Sequence, residues 1–475
     1  MHNNILKILF FLIFTFSYSQ ENWTLQQCID YAIKNNIQIK NAALDYENAE
    51  ISKKAAKSAF LPNANASANH SWNIGLNQNI TTGLLENQTT QFTSAGFNVG
   101  VDIFRGLQLQ NQLRKSNLGI IAAQYQLTKM QEDIALNVAN AYLQILFNKE
   151  NAKVLETQQR LNASQLQRTQ ELVNAGSVPR GDLLDIEATV ALDNQRLIAA
   201  QNALLISKLS LAQLLQIEDY ENFDIANEDF DALMSTVLQE KAQDVVKKAK
   251  ENRTEIKLAQ TQLSISEKDI QIAKSAYYPS INGFYSFNTR AAYTDRVSGY
   301  QLDATNPSII GYVEGTNQNV LQPNFRPIIT GAKPIFDQFS ENKGQNFGLS
   351  VNVPIFNGFS ARYNVERSKV AFEKSKLSLQ QQTIDLERNV YTAYTDTKAA
   401  KESFEAAKKT LDARKLSFEY AKQRYDVGLM NIFDLNQAQT LYANAQSEVL
   451  RTKYDFIFRT KILEFYFGIP LIKKQ

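Results

Sequence analysis

The stretch Ala56-Lys57-Ser58-Ala59-Phe60-Leu61-Pro62 decides the fold, because it returns 217 positions later as Ala273-Lys274-Ser275-Ala276-Tyr277-Tyr278-Pro279. Farther along the chain, Ile103-Phe104-Arg105-Gly106 returns 252 positions later as Ile355-Phe356-Asn357-Gly358. In both copies a proline ends a helical pattern and strand-like sequence follows it. An ordered series of matches of this kind indicates that one helix-and-strand layout is duplicated within the chain.

The duplication divides the chain into two repeats, residues 20–217 and 241–475. Between the two matches the offset grows by 35 residues, in a region where Gly, Pro, Asn and Asp are scattered without period. We therefore predict one long loop over residues 294–344, present only in the second repeat. Residues 218–240 join the repeats. They are acidic but carry Phe223, Phe230 and Leu233, so we predict a packed linker.

The first 19 residues have the pattern of a secretory signal peptide. Asn3, Asn4 and Lys7 form a short polar start, an apolar run follows over residues 8–16, and small residues stand at 17 and 19. The run is shorter than the ~20 residues that a membrane-spanning helix needs. No later segment has 18 consecutive apolar residues, so the mature chain either is soluble or enters a membrane as a β-barrel.

Four segments alternate between apolar and polar residues, over about 62–75, 92–104, 279–293 and 345–356. Their apolar positions include Ala66, Trp72, Phe97, Val99, Tyr285, Phe287, Leu349 and Val351. Each segment is long enough to cross a bilayer when tilted, with one face toward lipid and one toward water. A half-buried sheet in a soluble protein alternates in the same way, so the pattern alone leaves both interpretations open.

Four strands cannot close a membrane barrel, because single-chain barrels have at least ~8 strands. Open sheet edges are not tolerated in lipid. If the strands are in a membrane, the barrel must therefore be shared between chains. Three chains would supply twelve strands and two chains would supply eight.

Two segments predict very long helices, Gly106 to about Ala175 and Arg362 to about Tyr425. Both lack proline and are rich in Ala, Leu, Gln, Asn, Glu and Lys. At ~1.5 Å per residue each would be roughly 100 Å long, a length that needs coiled-coil-like neighbours. Shorter return helices follow at about Asp182–Ile217 and Asp434–Phe467. An ordinary solvated helical hairpin explains the composition, but not such helices together with the strands.

Composition argues against several classes of function. The net charge of +2 indicates no strong field for nucleic acid. After the signal peptide, His70 is the single histidine, and the single cysteine, Cys28, is interpreted as a small core residue. No phosphate-binding glycine loop, nucleophile elbow or metal-ligand spacing is present. We therefore predict no catalytic, cofactor or metal site, and no enzyme.

With these residues together, the chain resembles the TolC family of outer-membrane efflux proteins. The resemblance rests on the duplicated layout, the Ala-x-x-Ala-Phe-Leu-Pro and Ala-x-x-Ala-Tyr-Tyr-Pro helix ends, the Ile-Phe-x-Gly strand ends, and the turn from Tyr425 to Asp434. It implies a mostly α-helical homotrimer in which a twelve-stranded β-barrel stands on an α-helical tunnel. Such proteins act as passive exit ducts for tripartite efflux pumps or type I secretion systems.

The family resemblance also implies partners. These are a periplasmic adaptor, an inner-membrane pump of the RND or ABC type, and outer-membrane lipid. The turns between long and return helices would meet the adaptor tip: Gly176, Ser177 and Val178 in the first repeat, and Val427, Gly428 and Leu429 in the second. The two glycines are equally explained as residues that terminate helices in a left-handed conformation.

The same resemblance places a periplasmic gate at these turns. Asp182, Asp185 and Asp434 are predicted in the first turn of the return helices, where they either stabilise the helix dipole or form an acidic ring in three copies. Tyr425 is expected to hydrogen-bond near Asp182. The family's next acidic position is Gln437 here and its basic gate residue is Met430, which weakens the expected closing salt bridge.

Other classes of protein fit less well. A periplasmic adaptor has one long hairpin flanked by β domains, whereas this chain has two hairpins. A trimeric coiled coil with a structural or adhesive role at the cell surface would lack the amphipathic strand pairs.

Overall fold

A computed structural model describes residues 22–78, 83–220, 223–228 and 237–469. The predicted signal peptide, and Phe230 and Leu233 of the linker, lie outside the described residues. The helices are α1 (Leu25–Asn35), α2 (Ile37–Ser58), α3 (Gln108–Asn174), α4 (Arg180–Leu215), α5 (Ala242–Asn252), α6 (Thr254–Lys274), α7 (Ile335–Glu341), α8 (Ser360–Asp426) and α9 (Ile432–Phe467). The strands are β1 (Asn63–Gln78), β2 (Leu85–Arg105), β3 (Ser280–Ala292), β4 (Arg296–Tyr312), β5 (Asn319–Thr330) and β6 (Gly344–Asn352).

The prediction of a mostly helical chain with antiparallel strands is confirmed. The chain forms two compact units. The helical unit comprises the described parts of residues 1–51, 116–267 and 370–475, and the sheet unit comprises residues 52–115 and 268–369. Helices α3 and α8 contain 67 residues each, which at ~1.5 Å per residue makes each about 100 Å long.

The sheet unit contains a four-stranded antiparallel sheet in the order β1-β2-β3-β6. Each repeat contributes one hairpin-like pair, and the central pairing of β2 with β3 joins the repeats through partners such as Phe97 and Phe287. Because alternate residues of a strand point to opposite faces, the apolar positions of all four strands share one face. On the other face, the Ser286 hydroxyl donates to Asn98 Oδ1 at 2.6 Å.

The segment 294–344 differs from the predicted loop. It contains an antiparallel hairpin of β4 and β5, followed by the short helix α7. The period of two is hidden in the sequence because the pairing of β4 with β5 is irregular at three places, one of them between Asp303 and Ser308. Pro307, Pro323 and Pro327 add to the loop-like appearance, although prolines are compatible with the outer edge of a strand.

In the helical unit, the two repeats build two equivalent apolar clusters. Cys28 and Ile29 of α1 pack with Val138 of α3, and the positions equivalent to Cys28 and Ile29, Val245 and Val246 of α5, pack with Val390 of α8. Burial, with a smaller effect of Glu228, raises the pKa of the Cys28 thiol to about 12. Cys28 is thus an inert core residue at neutral pH.

Described parts of the linker are packed, as Phe223 and Ile225 are both buried in the first cluster. Between them, the carboxylate of Asp224 lies 3.3 Å from Lys149 Nζ and 3.2 Å from Lys208 Nζ. Burial alone would raise the pKa of Asp224, but the backbone N–H of Ile225 and the two ammonium groups lower it below its usual value. The segment is therefore fastened to α3 and α4 by charge as well as by apolar contact.

Helix α4 is, within the described part of the chain, the one helix long and apolar enough to cross a bilayer by length and composition. Only 22% of its most apolar window is buried. An uninterrupted apolar run does not occur, because Asp193, Asn194 and Gln195 stand near its middle. Its exposed apolar side chains are those of Leu184, Leu192, Ile198, Leu205, Ile206 and Leu209. A helix with such a surface is suited to packing against further protein as well as to lipid.

Candidate gate and docking turns

The first candidate docking turn follows the end of α3. Gly176 has φ +71°, a left-handed conformation that a side chain would strain. The N–H of Gly176 donates to Val173 O and that of Ser177 donates to Leu172 O, each at 2.9 Å. These bonds close the helix end before α4 begins at Arg180. Gly176 and Ser177 are exposed, and Val178 is half-buried.

The second candidate docking turn follows the end of α8 and has the same construction. Gly428 has φ +75°, and Leu429 N–H donates to Arg424 O at 2.8 Å. Asn431 caps α9 by accepting a hydrogen bond from the backbone N–H of Asp434 at 2.8 Å. Val427 and Leu429 are each 70% exposed. Two exposed aliphatic side chains on a rigid turn can bind a partner through apolar contact.

The predicted gate carboxylates occupy two levels of the return helices. Asp182 and Asp434 lie in the first turns of α4 and α9, as expected. Asp185 does not, because α4 begins at Arg180 and Asp185 therefore lies one turn deeper. Asp185 and Asp434 are exposed and Asp182 is half-buried. Among the described residues, none of the three carboxylates has a hydrogen-bond or ion-pair partner, so all three remain available to solvent, ions or another chain.

Tyr425 connects the two hairpins of one protomer. Its hydroxyl accepts a hydrogen bond from Gln165 Nε2 of α3 at 2.8 Å, whereas the sequence led us to expect a partner near Asp182. The guanidinium of Arg168 lies 6.0 Å from the centre of the Tyr425 ring and 3.6 Å from the carboxylate of Asp426. Near the candidate docking turns, α3 and α8 are thus joined by polar contacts that can be broken without exposing a core.

Met430, at the position where the family resemblance implies a basic gate residue, has an apolar environment. It packs against a small cluster formed by Ala421, Ile432 and Leu435. Tyr425 packs against the same cluster with its ring. Met430 thus stabilises the turn instead of forming an ion pair. Gln437, at the position equivalent to Asp185, is exposed and uncharged.

A buried polar network between the two hairpins has no counterpart among the predictions from the sequence. Asp193 of α4 is 3% exposed and accepts hydrogen bonds from Gln158 Nε2 at 3.1 Å and from Asn162 Nδ2. Asn162 Oδ1 in turn accepts from Gln439 Nε2 of α9 at 2.9 Å. The network joins both hairpins. No local sequence signal identifies it, because each of its hydrogen bonds joins residues that are more than 30 positions apart along the chain.

The residues that the structure describes contain no cluster of side chains that could bind a metal ion. No group of three or more His, Cys, Asp or Glu side chains is close enough to hold an ion. His70 lies in the sheet, where its Nδ1 is 2.8 Å from the hydroxyl of Thr93 and its ring is 4.3 Å from the Trp72 ring. The arrangement is that of an exposed aromatic cluster.

Comparison with known proteins agrees with this architecture. The chain is 25% identical over 292 residues to the pyoverdine export outer membrane protein OpmQ of Pseudomonas aeruginosa, a match covering 59% of this chain and 60% of that protein. It is 22% identical over 275 residues to the outer membrane protein TolC of Vibrio cholerae, covering 56% and 59%. The chain thus spans about 60% of the length of these curated relatives.

The fold also matches solved structures. The CmeC outer membrane channel of Campylobacter jejuni superposes with a TM-score of 0.71 at 19% identity, covering 95% of this chain and 87% of that one. A family model described as outer membrane efflux protein matches residues 28–215 and 245–457, one match in each repeat. The two matched regions together make up most of the chain, and the chain therefore belongs to the outer membrane efflux protein family.

Proposed function

We propose that three copies of this chain form a passive exit duct in the outer membrane. The duct serves a tripartite efflux pump or a type I secretion system, receives cargo from a periplasmic adaptor and an RND or ABC inner-membrane pump, and performs no catalysis. Residues 1–19 direct export as a signal peptide. Similarity to an export protein and to TolC supports this proposal.

The observation that carries the proposal is the pair of open edges on the four-stranded sheet. Within the described residues, β1 pairs only with β2 and β6 pairs only with β3. A sheet in lipid must satisfy all its backbone groups, so β1 of one copy would pair with β6 of the next. Three copies give a closed barrel of twelve strands, within the size range of membrane barrels.

The apolar face of the sheet supports placement in lipid. Phe347, Leu349 and Val351 of β6 are 61–77% exposed, which is unusual for large apolar side chains in water. Aromatic residues flank this face, with Tyr278 and Phe356 at one end and the cluster around Trp72 at the other. The 13 residues of β3 extend about 40 Å at ~3.3 Å each, or about 30 Å in height at a 45° tilt. This height matches the apolar layer of a bilayer.

The helical unit supports a shared wall. The exposed apolar side chains of α4 need a neighbouring surface, and copies related by threefold symmetry supply one. At the mouth, we propose that Asp434 with Asp182 forms a cation-attracting ring, that Asp185 adds a second level, and that Tyr425 helps to hold the closed state. We further propose that the exposed turns at residues 176–178 and 427–429 receive the adaptor.

The native mass of the protein extracted in detergent from its own outer membrane tests the proposal. We expect a particle of three chains that conducts ions after insertion into planar bilayers. A monomer, or a compact particle found in the periplasm, would refute the duct. A trimer with no conductance under any condition would favour the alternative of a structural or adhesive coiled coil.

A further inference from the structure

The hairpin of β4 and β5 has an exposed face that is mainly apolar. Cross-strand partners share a face, and the pairs Tyr300–Pro327, Leu302–Phe325 and Ile309–Leu321 fall on the same side. Tyr300 is 69% exposed and Phe325 is 61% exposed. The face consists mainly of Tyr300, Leu302, Ile309, Leu321, Phe325 and Ile329, and none of its side chains is charged.

The opposite face of the hairpin is ordered by polar contacts. Its middle presents the pairs Gln301–Arg326 and Asp303–Asn324, whereas Val320 and Ile328 lie toward its ends and are less exposed than Tyr300 and Phe325. Asn324 Oδ1 accepts a hydrogen bond from the Ser308 hydroxyl at 2.8 Å, and its Nδ2 donates to Asn306 O at 2.7 Å. The two-sided pattern makes the hairpin amphipathic. Such elements lie at a boundary between water and an apolar phase.

The helix that follows the hairpin shows on which side of the sheet the segment emerges. Thr289 of β3 lies on the same face as Phe287 and Tyr285, because alternate residues share a face. Its hydroxyl donates to Phe339 O of α7 at 2.8 Å, and Gln338 Nε2 donates to Ala292 O at 3.0 Å. Helix α7 thus lies against the apolar face, at the end of the sheet where Tyr293 joins the aromatic cluster.

Helix α7 also exposes apolar surface where it meets this end of the sheet. Phe336 is 79% exposed and stands beside Phe339, while Asp337 and Glu341 lie elsewhere on the helix. Only four residues separate the end of β5 from the start of α7. The hairpin is therefore joined by a short connection to a helix that lies on the side of the sheet that would face lipid.

We propose that the apolar face of the β4–β5 hairpin rests on the outer surface of the lipid bilayer around the barrel. Tyr300 and Phe325 enter the boundary between headgroups and acyl chains, while Arg326 and Asp303 remain in water. Tyrosine and other aromatic side chains favour this boundary because one part of the ring is apolar and another is polar. This inference rests on the proposed membrane location of the sheet.

Lipid quenching of a fluorophore tests the proposal with matched positions. Leu302→Cys places a label on the apolar face, and Gln301→Cys places one on the adjacent polar face. Phe347→Cys reports on the apolar face of the sheet itself. Cys28 can remain in place because it is fully buried and its thiol has a raised pKa. The unsubstituted chain controls for stray labelling.

Each variant is labelled with a polarity-sensitive fluorophore and placed, as the full assembly, in phosphatidylcholine nanodiscs with or without nitroxide lipids. We expect strong quenching by the nitroxide at positions 347 and 302, and quenching by aqueous iodide at position 301. If the label at position 347 is quenched by lipid but the label at position 302 is quenched by iodide, as at position 301, the hairpin is in water. The inference about the hairpin is then wrong, but the proposed duct is not affected.

Protection of position 302 from both quenchers would show that another protein surface covers the face, such as a second copy of the hairpin. That result would also overturn contact with lipid. Absence of lipid quenching at position 347 would contradict the membrane location of the sheet, and the inference would fall with it.

Discussion

The hydrogen bond between Tyr425 and Gln165 gives a quantitative test of the proposed gate. We take separation of α3 from α8 near the proposed mouth as the opening step. Tyr425→Phe keeps the ring beside Arg168 but removes the acceptor that lies 2.8 Å from Gln165 Nε2. A neutral hydrogen bond contributes ~0.5–1.5 kcal/mol net, so three copies opening together would lose about 1.5–4.5 kcal/mol of closed-state stability. At ~1.4 kcal/mol per factor of ten, the open fraction rises by roughly ten- to a thousandfold.

A second contact at the same place provides the comparison. Arg168 and Asp426 lie 3.6 Å apart, but their side chains are 56% and 46% exposed. Ion pairs with that exposure contribute ~0–1 kcal/mol and are screened by salt. Asp426→Asn should therefore open the mouth less than Tyr425→Phe does.

Conductance in planar bilayers measures the effect. We expect a higher resting conductance for Tyr425→Phe and little change for Tyr420→Phe, a substitution of the same kind at an exposed tyrosine of α8. Unchanged conductance of Tyr425→Phe would refute a role for this hydrogen bond in closure. An equal or larger effect of Asp426→Asn would contradict the ranking of the two contacts.

Three further changes test other parts of the molecule. Asp434→Ala should lower cation selectivity, read from the reversal potential in a salt gradient, and unchanged selectivity would remove Asp434 from the gate. Gly428→Leu should impair export without loss of the trimer, because a side chain at φ +75° strains the turn by ~1–3 kcal/mol in open space; normal export would argue against docking there. The ionised carboxylate of Asp224 stabilises the folded state, because its pKa is lower in the fold than the usual aspartate pKa of about 4. This stabilisation is fully present above about pH 4 and is lost as pH falls through the lower pKa of the folded state. Asp224→Asn should flatten the acid dependence of the thermal midpoint, and an unchanged dependence would refute the assignment.

Features with a repeated or periodic signature could be predicted from the sequence. The duplication, the long helices and the alternating strands each leave a pattern that a single chain shows. Gly176 and Gly428 could also be predicted as helix-terminating residues, because a residue with positive φ at a helix end is usually glycine. The pattern fails for β4 and β5, where irregular pairing and prolines interrupt the period of two.

The contacts around the candidate gate were less predictable, for physical reasons. The network around Asp193 depends on which faces of α3, α4 and α9 meet, and side chains far apart in sequence leave no local trace there. Tyr425 was placed correctly on its helix, but its partner, Gln165, depends on the same packing. The sequence does not locate the start of α4 to within one turn, so the predicted position of Asp185 differs from the observed one by a turn.

The pairing of β2 with β3 has a consequence for how the protein is made. The two strands are nearly 190 residues apart at the bond between Ser286 and Asn98, so the central pairing cannot form until most of the chain has been synthesised and exported. Until then the outer strands of each pair have unpaired backbone N–H and C=O groups, which can form hydrogen bonds with strands of other chains. In the proposed trimer the last edges, on β1 and β6, close only when three protomers meet. Folding and assembly would then be one process, and a solitary protomer would be a species that chaperones must protect from aggregation.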